Sequence, residues 1–455
     1  MSDLSPWAPF AITQGHLQGQ RERRSTIQAD GEGAFFLQPS KKPDSQDRGH
    51  QLGCHPLGRL RRFVNQVFMP VDFPSSVTES YLTFIQYTAC QLLCSHMSKI
   101  IATQAMLLAL GVGGPETIPM AAVTAWVLKD GIGHLLAIVV GTLINRRFDS
   151  DPKRFRFQAM MMAKSADLLC ILTLQWPGCF FALSALGGAL GRLSMNTGQA
   201  SRPKVLDTFA RAGNLGDIMR CNNAQTTAAE LLGTGLGACW GLLLGTEVRL
   251  LISGSALLSL ASLICCYQAT TVVKMSSLNR QRAELVLMAA VKQICKLQQQ
   301  GADLDPRQQS VIIPSPEEIR HREVFVLLYS SPGDIEVNPA VTTSYQLLTL
   351  PDPTSKYLLG CSRGRLAIWY HVEAAAHEVL QGFFHSQLLL VLAEASGKDD
   401  GTNGDFVKAS ALAADLAQQW WASVYGALLS QGWQTDMVFL DARNKRVRID
   451  KKTPV

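Results

Sequence analysis

Two stretches of this chain run without a charged side chain for long enough to cross a bilayer: Leu168 to Gly191, 24 residues, and Leu250 to Ala269, 20 residues. A helix needs roughly 20 apolar residues to traverse a hydrocarbon core of about 30 Å. Lipid as solvent changes the cost of every charge near these segments. The apolar residues concentrate between about 80 and 275, whereas 1–65 and 300–455 are ordinary polar sequence. The mean hydropathy of +0.10 averages two different textures.

Charges and helix breakers cut the middle of the chain into six apolar segments: 81–110, 118–144, 157–176, 179–197, 226–244 and 250–273. Gly and Pro cluster at the junctions, where helices end. The 24-residue stretch is split at Pro177-Gly178. The basic residues support this division. Sixteen Lys and Arg lie before segment one, between two and three, at or beyond the end of four, and after six; the other junctions hold only Arg249. Six spans with both termini on the basic side reproduce that alternation. The net charge of +6 is therefore read as orientation in a membrane, and no nucleic-acid partner is expected.

The competing reading is a soluble helical domain with a large core. Lys129, Asp130, Lys164 and Asp167 lie inside segments two and three. At the centre of a lipid-facing helix each would cost about 2.5–3.5 kcal/mol, so they have to pair or line a cavity. Consecutive helical residues point about 100° apart, so Lys129 and Asp130 do not neutralise each other. Lys164 and Asp167 are the nearest partners expected, with Lys99 and Glu230 as alternatives. In segment five, Gly233, Gly237, Gly241 and Gly245 recur every fourth residue. They form a smooth groove for another backbone.

Residues 1–65 lack the apolar run of a signal peptide and carry more acids than a transit peptide does. Disorder is expected there. Residues 283–300 read as an amphipathic helix leaving the membrane, and 301–316 as a linker. Beyond it the texture is α+β, with strands at 324–329, 356–360 and 365–370, helices at 374–392 and 406–430, and β character over 436–449.

Catalytic motifs are missing from the sequence. It has no phosphate loop, no Gly-x-Ser-x-Gly and no His-Glu-x-x-His; His371, His377 and His385 are not at metal-ligand spacing. The eleven cysteines show no C-x-x-C pair and read as small apolar packing residues. Three polar patches flank the spans. Trp126 to Gly133 holds Lys129 and Asp130. Phe148 to Arg156 holds Asp149, Asp151, Lys153 and Arg154. There Pro152 suits the first turn of a helix, the acids suit its N-terminal dipole, and the basic residues suit lipid phosphates or topology. The third patch, Ala200 to Gln225, reads as a long polar loop with Arg202, Asn214 and Asp217, either functional or a surface linker.

These patches, with Phe68-Met69-Pro70, Phe73-Pro74-Ser75-Ser76-Val77, Tyr81 and Thr103-Gln104-Ala105, resemble the root UVB sensitive family. The resemblance runs from about residue 66 to 300, and the tail looks like the family's C-terminal part. It implies a membrane-associated protein, plastid-located in several plant members, with roles in UV-B tolerance and early seedling development. It brings no reaction with it. The chain departs from the family pattern at Met160 and Lys164, at Ser201, and at Cys221, which replaces the family's lysine, with Arg220 one position earlier.

The expected fold is mainly α: a polytopic membrane bundle of about six helices followed by a small soluble α+β domain. The expected domains are 1–65 disordered, 66–300 helical and membrane-embedded, 301–316 linker and 317–455 soluble. The expected function is a non-enzymatic scaffold or partner-binding role. The alternative is a carrier working as a homodimer of six-helix units through the Gly groove. No cofactor, metal or catalytic residue is expected. The partners are the lipid bilayer and either another protein or a second copy.

Overall fold

In a computed structural model, the described residues are 63–110, 127, 130–135, 138–139, 148–300, 309–326, 335–340, 344–349, 356–396, 403–440 and 445–448, with backbone strands at 11–14, 23–29 and 35–39. They divide into two compact units, 1–79 with 210–225, and 80–209 with 226–455.

In the first unit, β1 (Ala11–Gln14), β2 (Arg23–Ala29) and β3 (Phe35–Pro39) form an antiparallel sheet with β2 central. The sequence reading expects disorder over 1–65, and here the structure differs. Thr26, Ile27, Phe35 and Phe36 are β-branched and aromatic strand formers that a polar average conceals.

The second unit opens with long helices: α1 (Tyr81–Ala109), α2 (Pro152–Leu172), α3 (Phe180–Asp207), α4 (Leu215–Leu244, its first turns in the first unit) and α5 (Val248–Val272). A 3-10 turn, Pro177–Cys179, separates α2 from α3. The uncharged 24-residue stretch is thus two helices, divided where proline offers no N–H. α3 runs on to Asp207 and α4 starts at Leu215, so the expected polar loop of 200–225 is mostly helix. Only 208–214 turns, with Gly213 at φ +65°. Among the described residues, four helical stretches are long and apolar enough to cross a membrane: Tyr81–Ala109, Pro177–Asp207, Leu215–Leu244 and Val248–Val272. Their outer faces carry bare leucines, among them Leu231, Leu242, Leu243 and Leu257, the last three 82%, 79% and 62% exposed. A belt of that extent suits lipid rather than water. α2 is more polar and turns its charges inward. Segment 118–144 lies largely outside the described residues, of which 130–135 are helical.

The glycine row packs within the chain. A Cβ on Gly233 would sit 2.8 Å from His96 Cβ, and one on Gly237 2.9 Å from Met97 Cα, both on α1. Gly241 faces Gln104, whose Nε2 donates to the carbonyls of Gly241 (3.4 Å) and Gly245 (3.3 Å). Gly235, off the row, meets nothing within 4 Å. Gly245 is not a packing position: it takes φ +67° just past the end of α4, the left-handed conformation that favours glycine at a helix terminus. Because α1 fills the groove, it is not open to a second copy, which corrects the homodimer contact expected there.

The C-terminal part begins earlier than expected. β4 (Ser277–Asn279) pairs in parallel with β9 (Gln434–Phe439). α6 (Arg280–Gln299) puts Ala283, Val286, Leu287, Ala290, Val291 and Ile294 into one core with Ile368, Phe383, Phe384, Leu388 and Trp420. This helix, assigned by sequence to the membrane domain, is amphipathic because its apolar stripe meets α8 (Ala376–Ser396). The core therefore starts near Leu278 rather than at 317. After the short α7 (Pro316–Ile319), a sheet is ordered β5-β8-β7-β6, with β5 Ile335–Val337, β6 Gln346–Leu347, β7 Tyr357–Ser362 and β8 Arg365–Tyr370. β7 and β8 coincide with two expected strands. Arg363 (φ 50°) and Gly364 (φ 74°) join them in a turn of two left-handed residues, as tight hairpins require. α9 (Asn403–Ser430) packs on α8. Of the strand expected at 324–329, residues 324–326 are not strand and the rest lie outside the described residues.

Candidate functional site

Phe84, Thr88, Gln91, Ser95 and Ser98 recur on α1 at steps of four and three, so they share one face. That face meets α2 and α5 along a polar seam. At the basic end, Arg156 of α2 donates through Nη2 to Thr88 Oγ1 (3.1 Å) and Gln91 Oε1 (2.9 Å). Its guanidinium carbon lies 5.0 Å from the centre of the Phe84 ring. Ser262 of α5 donates to the Gln91 carbonyl at 3.1 Å. Deeper in, Lys164 Nζ donates to Asp167 Oδ2 (2.6 Å) and to the Ser95 carbonyl (3.3 Å). Ser98 Oγ donates to the same carboxylate oxygen at 3.1 Å and lies 3.1 Å from both Ser255 Oγ and Ser259 Oγ. A hydroxyl has one proton and two lone pairs. With its proton on Asp167, Ser98 accepts from the two α5 serines, and three helices are coupled through one carboxylate.

The seam offers donors, acceptors and one buried ion pair. No group of three metal-binding side chains occurs among the described residues.

Three of the partners expected for Lys129 and Asp130 are engaged with other residues. Lys164 pairs with Asp167 on its own helix, and Glu230 lies 3.3 Å from His96 Nε2. Asp130 is half-buried in a helical stretch, and Lys129 lies outside the described residues. Asp149 is exposed. Asp151 stands at the N-cap of α2 with Pro152 in the first turn, yet its side chain does not cap. It accepts from the Asn279 amide and lies 3.5 Å from Arg154.

Lys153 does not face lipid phosphates, as the sequence reading expects. It is buried and donates to Glu323 Oε2 at 2.6 Å, while Arg282 Nη1 donates to Oε1 at 2.6 Å. Arg282 Nε also reaches the Ser277 carbonyl at 2.6 Å. Burial pushes the Glu323 carboxyl up, but Arg282 and Lys153 outweigh it and hold the group below the ordinary glutamate value. Burial draws the Lys153 ammonium down against the pull of Glu323. Two cations share one carboxylate. Sequence reasoning missed Glu323 and Arg282. Arg282 stands in the basic run after the last apolar segment, which reads as topology, and no pattern in the sequence marks Glu323.

Asn214 and Asp217 belong to a clamp in the first unit. Asp217 Oδ2 accepts from the Val71 N–H at 2.7 Å, and Oδ1 accepts from Arg220 at 2.9 Å. Arg220 also donates to the Gln66 (3.3 Å) and Val67 (3.4 Å) carbonyls, and Gln225 to that of Phe68 (2.6 Å). Ser76 and Arg211 join the same two segments through a backbone bond of 3.2 Å. The Asn214 carbonyl starts α4 by accepting from Asp217 and Ile218, both at 3.1 Å. The motif around Phe73-Pro74 and the motif Asn214 to Asp217 are one local structure. Arg202 sits on α3, close enough to Arg156 and Glu230 for their charges to act on it.

Residues 56–293, more than half the chain, match a family profile described as a vitamin B6 photo-protection and homoeostasis domain. The relatives carry a matching name. Protein root UVB sensitive 2, chloroplastic, from Arabidopsis thaliana is 24% identical over 399 residues, covering 86% of each chain. The chain belongs to the root UVB sensitive family. Root UVB sensitive 3 of the same plant is 25% identical over 362 residues, 76% of this chain and 79% of its own. RUS family member 1 of Dictyostelium discoideum is 26% identical over 285 residues, 62% and 51% of the two chains. No solved structure matches. The family match covers the whole seam of this root UVB sensitive protein, from Phe84 to Ser262, and Lys153 and Arg282 of the buried trio, while Glu323 lies beyond it.

Proposed function

We propose that this root UVB sensitive family member is a multi-pass membrane protein that binds a small polar solute along its seam, without covalent chemistry of its own. The observation that carries this reading is the Ser98–Asp167–Lys164 cluster, a charged pair and three serines held between helices whose outer faces are leucine-rich. Ionisable groups at such a place mark solute or ion pathways. The family description supports vitamin B6 as the chemistry served, with UV-B tolerance and development as its consequences in plants.

Purified protein in sealed liposomes, offered a panel of vitamin B6 forms, tests the proposal. Uptake or saturable binding is expected in the wild type and is expected to vanish in Asp167→Asn. Binding without uptake favours the second reading, a scaffold or partner-binding protein. The buried Lys153–Glu323–Arg282 trio favours that alternative, since it ties α2 to the α+β part. A plastid is one address to test, because a relative is named chloroplastic; a fluorescent fusion reads it.

A further inference from the structure

Ser184, Ser201 and Ser253 turn their hydroxyls back on carbonyls of their own helices, and Ser194 and Ser262 donate to carbonyls of a neighbour. Ser98, Ser255 and Ser259 instead turn theirs on one another, across the contact of α1 with α5. With the Ser98 proton on Asp167, both α5 hydroxyls spend their protons on Ser98 and keep their lone pairs for another group. The Lys164 ammonium sits against this set, 2.6 Å from Asp167 Oδ2 and 3.3 Å from the Ser95 carbonyl oxygen. Ser98, Ser255 and Lys164 are buried. A Lys–Asp pair one turn apart on a single helix is complete without three serines from two other helices. Carboxylate, hydroxyl and carbonyl oxygens are the ligands of hard cations, and inside a membrane they replace the ion's hydration shell. The ammonium stands where such an ion would stand. One carboxylate balances one positive charge, whereas a divalent ion would leave a surplus charge between apolar helices.

We infer that Asp167, Ser98, Ser255, Ser259 and the Ser95 carbonyl form a binding site for one alkali cation, sodium or potassium. In this conformation the Lys164 ammonium fills the site as a tethered cation, and it gives the place up when the ion binds. On its flexible four-carbon stem the displaced ammonium is then available to an electronegative group of the solute. This deepens the solute-binding reading and rests on it: cation and solute share one cluster, so each alters the other's affinity.

The full chain, purified in detergent, is melted in choline chloride and titrated with sodium chloride or potassium chloride at constant ionic strength. Lys164→Met removes the tethered occupant. Its melting temperature, lowered in choline, is expected to rise saturably with one of the two ions. The wild type is expected to respond to the same ion with an affinity about tenfold weaker or more, because its ammonium must first be displaced. Ser98→Ala in the Lys164→Met background should weaken binding about tenfold or more, and Asp167→Asn should abolish it. Should Lys164→Met fail to fold in every salt, Ser255→Ala and Ser259→Ala keep the ion pair, and each is expected to weaken the wild-type response. No saturable response in wild type or Lys164→Met, equal affinities in the two, or responses untouched by the serine substitutions, overturns the proposal. Solute uptake that is the same in sodium, potassium and choline, with no cation binding, removes the cation site and leaves the solute reading. Cation binding through Asp167, with no solute uptake or seam binding, does the reverse.

Discussion

Lys153 and Glu323, 170 residues apart in the chain, meet at 2.6 Å with side chains only 2% and 4% exposed. Arg282 takes the other carboxylate oxygen, so the three groups are not equivalent. Glu323→Gln leaves two buried cations facing each other, and a loss of about 3–5 kcal/mol is expected. Lys153→Met leaves the Arg282–Glu323 pair and removes the surplus charge, so its expected loss is under about 2 kcal/mol. Chemical denaturation of the purified variants measures both. Equal losses would mean the carboxylate is not the hub.

The Lys164–Asp167 pair, 6% and 12% exposed, should behave as a coupled unit. Lys164→Met and Asp167→Leu are each expected to cost about 3 kcal/mol or more by stranding the partner. The double variant should lose clearly less than the sum. Strict additivity in this cycle would show that the pair is not a buried unit.

Gly237 and Gly235 lie on the same helix, but only Gly237 faces α1. Gly237→Leu forces the two backbones apart, at a cost of about 1–3 kcal/mol, and should lower yield and melting temperature. Gly235→Leu points into open space and should stay within about 0.5 kcal/mol. Comparable melting curves for the two variants would refute the groove.

His385 is buried and lies 3.1 Å from the Tyr357 hydroxyl; burial holds its imidazole down to about 4 and pushes the Tyr357 phenol up to about 12. The ordinary histidine value is 6.5. Between these values the unfolded chain binds a proton that the folded chain refuses. Stability is therefore expected to fall as pH drops from about 6.5 towards 4, by about 3 kcal/mol in total, and to level off for this group below that. Melting at a series of pH values should show the slope in the wild type and a reduced slope in His385→Asn. An unchanged slope in the variant would assign the acid sensitivity elsewhere.

The basic residues group on alternate junctions of the apolar segments, sixteen against Arg249 alone. Both termini are expected on the same side of the membrane. Reporters fused to each end, challenged with protease in sealed vesicles, should respond alike. Opposite responses would remove the six-span arrangement.

Local chemistry alone determined much of this protein. Charge-free length, proline and glycine placed the long helices, including the break at Pro177, because a helix satisfies its backbone within its own segment. The fourth-residue spacing marked Gly233, Gly237, Gly241 and Gly245 as a packing face, and the first three do pack on α1. The β8 strand followed from Ile368, Trp369 and Tyr370, and β7 from the short apolar run that Tyr357 opens. Tertiary structure decided which polar groups meet. Nothing periodic joins Lys153 to Glu323, Arg156 to Thr88 or Asp217 to Val71, since each contact bridges segments far apart in the chain. Only the folded structure could turn the expected loop of 200–225 into helix and move α6 into the C-terminal core. The reason is physical: hydropathy and backbone propensity act over a few residues, whereas a buried charge takes whatever partner the packing of distant segments brings within about 3 Å.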